Sequence, residues 1–451
     1  MLLEKNQLLK IAFSIIVGVI IYALGRTAFS NTQSELLGII ALLVILWTNE
    51  ALPLGVVSLL PIVLFPAFGI ISTKATTINY ANPIIYLFLG GFLLAIAVEK
   101  SKLHMHIADK LLSLFPSTPR GMIFSLSITT GLLSSILSNT TTTLLLMPIA
   151  LFLTKNKKLQ MRFALAIAYG ASIGGILTPI GTPPNLILLG IMQENHMQLI
   201  PFFKWMMMVA PLSFVMLISA SLLLSVGVGD IVIQREIKNE KLNDTQKRVL
   251  FLMIGLIVVL FVNAPIRPYW NGLGMSESAI LLFFGILLFI SPFKILDWDE
   301  DSKQIPFAIM FLFGAGFSIA KAFSSSGLAD EIATYLLSMT DLSPIILLFS
   351  VAILITFTTE ITSNTALISI MLPVIYSVSS QAGIDTSLFM MVATLCASYA
   401  FMLPIATPPN AIAMSSGVVS VKDMMRYGII LNLLGIFFIV IIAEYFWKSF
   451  I

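Results

Sequence analysis

Ser138-Asn139-Thr140 and Ser363-Asn364-Thr365 are the same polar tripeptide, 225 positions apart, each set in an apolar stretch. Hydroxyl and amide groups of this kind offer neutral oxygens to a cation, and O–H and N–H donors to an anion. A second pair of runs keeps the same spacing: "GTPPN" at Gly181–Asn185 and "ATPPN" at Ala406–Asn410. Proline lacks an N–H and breaks the helical ladder, so each double proline interrupts its segment and frees backbone carbonyls beside a Ser-Asn-Thr run. At a tight apex the returning half-helix exposes its N-terminus, where the dipole favours an anion. The preceding half-helix ends in free carbonyls, which favour a small cation; neutral oxygens alone suit Na⁺. No Lys or Arg occurs in these motifs, so an anion there is held by neutral donors, helix dipoles and bound cations. Two related half-sites fit a substrate with two anionic ends.

The elements that must position these groups lie in lipid. Of the 451 residues 58% are hydrophobic and only 10% charged, against about 25% charged in soluble domains, so the chain is an integral membrane protein. The net charge of +3 and the lack of a basic patch exclude nucleic acid as a partner. A single cysteine, Cys396, excludes an intrachain disulfide or a cysteine metal cluster. His104, His106 and His196 read as surface histidines near segment ends and not as a metal site. Spans need about 20 apolar residues. Eleven are expected, at roughly 10–28, 33–49, 52–71, 83–99, 163–192, 203–229, 249–265, 276–293, 305–323, 387–416 and 427–447. The first follows Lys5 and Lys10 without a cleavage site, so it reads as a span and not a signal peptide.

Charge orients the chain. With the N-terminus cytoplasmic, only Arg26, Lys74, Lys204, Arg267, Lys321 and Lys448 of the 25 Lys and Arg fall outside, and the C-terminus is external. Arg120 and Lys155 flank the apolar stretch 121–153, whose middle is Ser-Asn-Thr. Both ends are then cytoplasmic, and the stretch is a re-entrant hairpin with an apical site, within about 111–155. The counterpart at 343–380 sits among Asp330, Asp341 and Asp385 and enters from outside.

The spacing extends well beyond the motifs. "FLGGF" at Phe88 and "FGAGF" at Phe313, and "HIADKLLSL" at His106 and "EIATYLLSM" at Glu331, also lie 225 apart. The gene is therefore internally duplicated. Residues 1–30 carry the first span, 31–229 repeat one, 230–247 a cytoplasmic linker and 248–451 repeat two. Each repeat has five spans and a hairpin; five is odd, so the second copy is inverted. Inverted repeats whose broken segments (here about 163–192 and 387–416) meet at the midplane mark secondary transporters.

Ser, Thr and Asn also glue helices together in membranes, and that plainer reading would suffice for one Ser-Asn-Thr alone. Its recurrence with the proline motif at one spacing argues for a site. Thr141–Thr143 have no counterpart in the second copy and read as capping or packing groups. Glu360, with Ser135 as its counterpart, is either a cation- or proton-handling group or a local brace. Glu50 and Glu99 read as interfacial, and the methionines as packing filler.

With these paired motifs, and "WTNEALPLGVVSLLPIVLFP" at Trp47–Pro66, the chain resembles the divalent anion/sodium symporter family over nearly its full length. The resemblance implies a homodimer in the cytoplasmic (inner) membrane. Each protomer would be all-α, with eleven transmembrane helices, two re-entrant hairpins, and scaffold and transport domains moving as an elevator. It implies one Na⁺ site at Ser134, Ser138, Asn139 and Gly181, and another at Thr359, Thr362, Asn364 and Ala406. Thr362 stands where a small residue is expected. The substrate carboxylates would meet Asn139, Thr140, Asn364, Thr365, Thr407 and Pro408. Members with Ser-Asn-Thr in both hairpins are typically similar to carriers of succinate, malate or fumarate. No organic cofactor is implied.

Alternatives on the same fold are a Na⁺-independent dicarboxylate exchanger and a citrate or sulfate carrier. An intramembrane enzyme would need a Ser/Lys, Asp/Asp or His/Glu set at membrane depth, which the motifs lack. A channel fits two opposed hairpins less well than alternating access does.

Overall fold

The computed structural model describes residues 2–229, 241–265, 270–338 and 343–450, and every element in it is a helix. Of the linker assigned to 230–247, residues 230–240 lie outside the described residues, as do Arg267 and Asp341. The first half runs α1 (Leu2–Gly25), α2 (Asn31–Asn49), α3 (Leu54–Val57), α4 (Leu60–Ala67), α5 (Thr73–Thr77), α6 (Pro83–Lys100) and α7 (Leu103–Ser113). It continues through α8 (Pro119–Ser134), α9 (Asn139–Phe152), α10 (Lys157–Gly175), α11 (Pro183–Glu194) and α12 (Phe202–Ser225).

The second half runs α13 (Asp244–Asn263), α14 (Glu277–Leu287), α15 (Trp298–Asp301), α16 (Phe307–Ser326), α17 (Leu328–Ser338) and α18 (Pro344–Thr359). After these come α19 (Asn364–Gln381), α20 (Thr386–Ser398), α21 (Pro408–Ser415) and α22 (Val421–Tyr445). Seven segments among the described residues are long and apolar enough, taken singly, to cross a bilayer. Others are broken where the sequence carries its polar motifs.

The duplication is visible in the element boundaries. α7 and α17 are related by 225 positions at both ends, as are α8 and α18; α9 and α19, and α11 and α21, start 225 apart. Local chemistry explains why. Pro119 and Pro344 occupy the first helical turn, where a missing N–H costs nothing, after Thr118 and Ser343. α8 then stops at Ser134 and α9 restarts at Asn139, with Ser138 as N-cap accepting from the Thr141 N–H at 3.1 Å. Ser363 holds the same position before α19 but makes no capping bond, so its hydroxyl stays free.

Packing interlocks the two copies. α9 packs against α21 of the other repeat, and α19 packs against α11. A large apolar core joins α6, α8, α10–α12 and α18–α22, while a smaller one gathers α2, α4 and α16. At the periphery, Asp301 is buried and accepts from Lys100 Nζ at 2.6 Å, tying α15 to the end of α6. His104 departs from the surface reading. It is buried at 6% exposure, with Nδ1 2.9 Å from the Val98 carbonyl, because the turn between α6 and α7 leaves that oxygen without a helical partner. His196 is exposed as expected, and His106 is half-buried.

Candidate functional site

Both helix–break–helix tips and both double-proline breaks open on one cavity of about 780 Å³. Ser138, Asn139, Thr140, Gly181, Ser363, Asn364, Thr365, Ala406, Thr407 and Pro408 all line it. Four helices therefore start at the same place: α9, α11, α19 and α21. Their positive dipole ends converge on the cavity, whose lining among the described residues has no Lys or Arg and a single acid, Glu50. Pro183-Pro184 and Pro408-Pro409 withhold N–H groups from α11 and α21, so the hydrogen-bond donors there come from the tripeptide tips.

Beneath each tip the same bond recurs. Ser134 Oγ donates to Asn139 Oδ1 at 2.6 Å, and Thr359 Oγ1 donates to Asn364 Oδ1 at 2.6 Å. Thr359 Oγ1 also lies 2.9 Å from the Ala397 carbonyl. One proton thus serves three oxygens, Thr359 Oγ1, Asn364 Oδ1 and Ala397 O. Such crowding of neutral oxygens fits a small hard cation. In repeat one, a Cβ on Gly175 would stand 2.6 Å from Asn139 Oδ1. A Cβ on Gly181 would stand 2.3 Å from the Gly175 carbonyl and 3.2 Å from that of Ser135. Bare glycine lets backbone and amide oxygens gather here too. Ser134 and Thr359 are fully buried under the tips and do not reach the cavity. Thr362 is also off the lining, and its hydroxyl donates back to the Thr358 carbonyl at 2.9 Å.

The asparagine that ends each proline motif fastens the break. Asn185 Nδ2 donates to the Thr178 carbonyl at 2.9 Å; Asn410 Nδ2 donates to the carbonyls of Ala400 and Leu403 at 3.0 Å. Both side chains are fully buried. Glu360 resolves toward the brace. Its carboxylate accepts from the N–H groups of Phe401, Met402 and Leu403 at 2.7, 2.9 and 2.9 Å, and from Asn432 Nδ2 at 2.7 Å. Thr141 takes a hydrogen bond from Ser138, and Thr143 donates to the Asn139 carbonyl, so these threonines serve the local turn.

Several lining groups escaped the sequence reading. Thr182 and Pro183 mirror Thr407 and Pro408. Gln7, Trp47 and Glu50 line the cavity as well; Glu50 stands exposed at the end of α2, as a segment-end residue, and also forms part of the wall. Glu50 ends α2 with a φ of 52°, a left-handed stop that turns the chain toward Pro53. Ile405 is 75% exposed within the lining, so the protein does not close over the cavity there.

Residues 42–395 match the citrate transporter family CitMHS. The chain is 31% identical to the sodium-dependent dicarboxylate transporter SdcS of Staphylococcus saprophyticus, covering 96% of this chain and 90% of that one. It is 33% identical to SdcS of Staphylococcus aureus strain NCTC 8325, covering 88% and 83%. The chain belongs to the divalent anion/sodium symporter family. It is a multi-pass membrane transporter and not an enzyme. The fold is shared with more distant proteins: the YdaH transporter of Alcanivorax borkumensis, at a TM-score of 0.61 and 14% identity, covers 83% of this chain and 87% of its own. MtrF of Neisseria gonorrhoeae, at 0.59 and 12%, covers 92% and 95%.

Proposed function

We propose that this symporter-family chain carries C4-dicarboxylates such as succinate, malate and fumarate into the cell by Na⁺-coupled symport. The observation that carries the reading is the convergence of four helix N-termini and two Ser-Asn-Thr tips on one cavity without a cationic side chain among the described residues. Two related tips suit two carboxylates, with Asn139 and Thr140 donating to one and Asn364, Thr365 and Thr407 to the other, where Pro408 has no N–H and meets the substrate by packing. The oxygen clusters around Ser134, Ser138, Asn139 and Gly181, and around Thr359, Thr362, Asn364 and Ala406, hold one Na⁺ each. The bound cations supply the positive charge that the side chains lack. The names of the staphylococcal relatives support both the anion and the ion.

Movement follows from the interlocked repeats. Eleven spans are obtained when α3–α4, α10–α11 and α20–α21 each count as one crossing, with α8–α9 and α18–α19 as re-entrant hairpins. The hairpins and broken helices form a transport domain that slides against a scaffold, the scaffold pairs two protomers in the cytoplasmic membrane, and the N-terminus is cytoplasmic and the C-terminus external. The cavity reaches Gln7 at the N-terminal end of α1, which supports an inward-open state.

The test is uptake of labelled succinate into proteoliposomes with and without an inward Na⁺ gradient, challenged by malate, fumarate, citrate, sulfate and 2-oxoglutarate. The reading expects Na⁺-driven uptake blocked by the C4 acids. Uptake that ignores Na⁺ and needs internal dicarboxylate makes the chain an exchanger. Stronger competition by citrate or sulfate changes the substrate class.

A further inference from the structure

The duplicated half-sites are braced by different chemistry at the same two repeat positions. In repeat one the unwound strand after α10 is tied to the tip by Thr178, whose hydroxyl donates to the Ser135 carbonyl at 2.5 Å. Adding 225 to each number gives Leu403 and Glu360. There the direction of attachment is kept and the groups are exchanged. The strand now donates with its own N–H groups, Leu403 N to Glu360 Oε2 among them, and the tip accepts with a carboxylate in place of a carbonyl.

Each brace stands next to cation-type oxygens. Ser135 follows Ser134, and its carbonyl faces Gly181; Glu360 follows Thr359, and the strand it holds leads into Ala406 and Thr407. Glu360 is 3% exposed and lies off the cavity lining, so it touches neither the solvent path nor the substrate position. Four donors occupy its two oxygens, a geometry suited to a structural acceptor and not to a ligand that must exchange partners with each cycle.

We propose that Glu360 is the positioning residue of the second half-site, the functional equivalent of the Thr178–Ser135 tie in the first, and that one device can replace the other. The argument rests on the proposed coupling only for its readout. The Thr178 hydroxyl and the Glu360 carboxylate set the spacing between tip and strand, and through it the geometry of the cation oxygens.

The experiment compares the parent chain with Glu360→Ser, the double variant Glu360→Ser/Leu403→Thr, and Thr178→Val, all in proteoliposomes. Na⁺ activation of succinate uptake and succinate KM are measured separately, with thermal unfolding as the control for folding. Glu360→Ser is expected to raise the half-saturating Na⁺ concentration by about tenfold or more, in excess of any change in KM. The double variant, which writes the repeat-one device into repeat two, is expected to recover most of that loss. Thr178→Val, nearly isosteric, is expected to weaken Na⁺ activation through the first half-site by several-fold. Parental Na⁺ activation in Glu360→Ser, or a folded double variant no better than Glu360→Ser, overturns the inference. Where the Glu360 variants do not fold, unchanged Na⁺ activation in Thr178→Val overturns it and weakened activation supports it. A parent that ignores Na⁺ refutes the coupling and not the brace, and succinate KM in the same variants then decides by the same criteria.

Discussion

Thr359 Oγ1 and Asn364 Oδ1 lie 2.6 Å apart beneath the second tip, repeating the bond between Ser134 and Asn139. Only one proton serves Thr359 Oγ1, Asn364 Oδ1 and the Ala397 carbonyl, so the oxygens are drawn together without being fully paired. Thr359→Val keeps the shape and removes one of the three oxygens. It is expected to raise the Na⁺ requirement by about tenfold while succinate KM at saturating Na⁺ shifts by less, as read from uptake against Na⁺ concentration. Equal shifts in both quantities would assign Thr359 to the anion.

Asn139 and Asn364 each present an amide both to the oxygen cluster and to the cavity. Asn139→Ala and Asn364→Ala are therefore expected to lower transport by about a hundredfold or more, with a monodisperse protein on size exclusion. A variant with normal uptake would remove that tip from the site.

Glycine is required on one side only. A methyl group on Gly181 would press within 2.3 Å of a backbone carbonyl, which cannot rotate away, whereas Ala406 already carries one at the equivalent position. Gly181→Ala is expected to destabilise the first half-site by about 1–3 kcal/mol and to lose Na⁺ activation, while Ala406→Gly stays near parental activity. Melting temperature and uptake, measured on the pair, check the asymmetry.

Ile405 offers a direct view of the cavity. The chain's single cysteine, Cys396, is fully buried, so Ile405→Cys adds one reactive thiol against a silent background. A membrane-impermeant maleimide is expected to label it rapidly in detergent, and succinate with Na⁺ to slow labelling several-fold. Labelling that ignores both ligands would place Ile405 away from the substrate path.

Much of this arrangement was legible in the chain because duplication prints each feature twice. The breaks at Ser138 and Ser363, and the prolines at 183 and 408, declare themselves through one spacing. What occurs once was harder. Glu50 and Trp47 reach the cavity from α2, a distance along the chain that no spacing encodes. His104 is buried by a turn whose Val98 carbonyl, shared with the Ser101 hydroxyl, cannot be read from residue types. Asn432, the side-chain partner of Glu360, carried a weak signal: an amide inside the apolar helix α22 calls for a polar partner in the membrane. Its identity required the fold, since the two residues are 72 positions apart, Glu360 in the break after α18 and Asn432 within α22.

The absence of Lys and Arg from the cavity wall, among the described residues, has a consequence for the order of events. A dianion arriving at the empty tips meets dipoles alone, with the carboxylate of Glu50 elsewhere in the wall opposing it, and a cation arriving alone meets tip oxygens that carry no formal charge. Under the proposed coupling each ligand therefore raises the affinity for the other by the same factor, as linkage requires. The wall works as a coincidence detector: it fills when both signals are present, and a carrier built this way protects the ion gradient from idle leakage without needing a separate gate for each cargo.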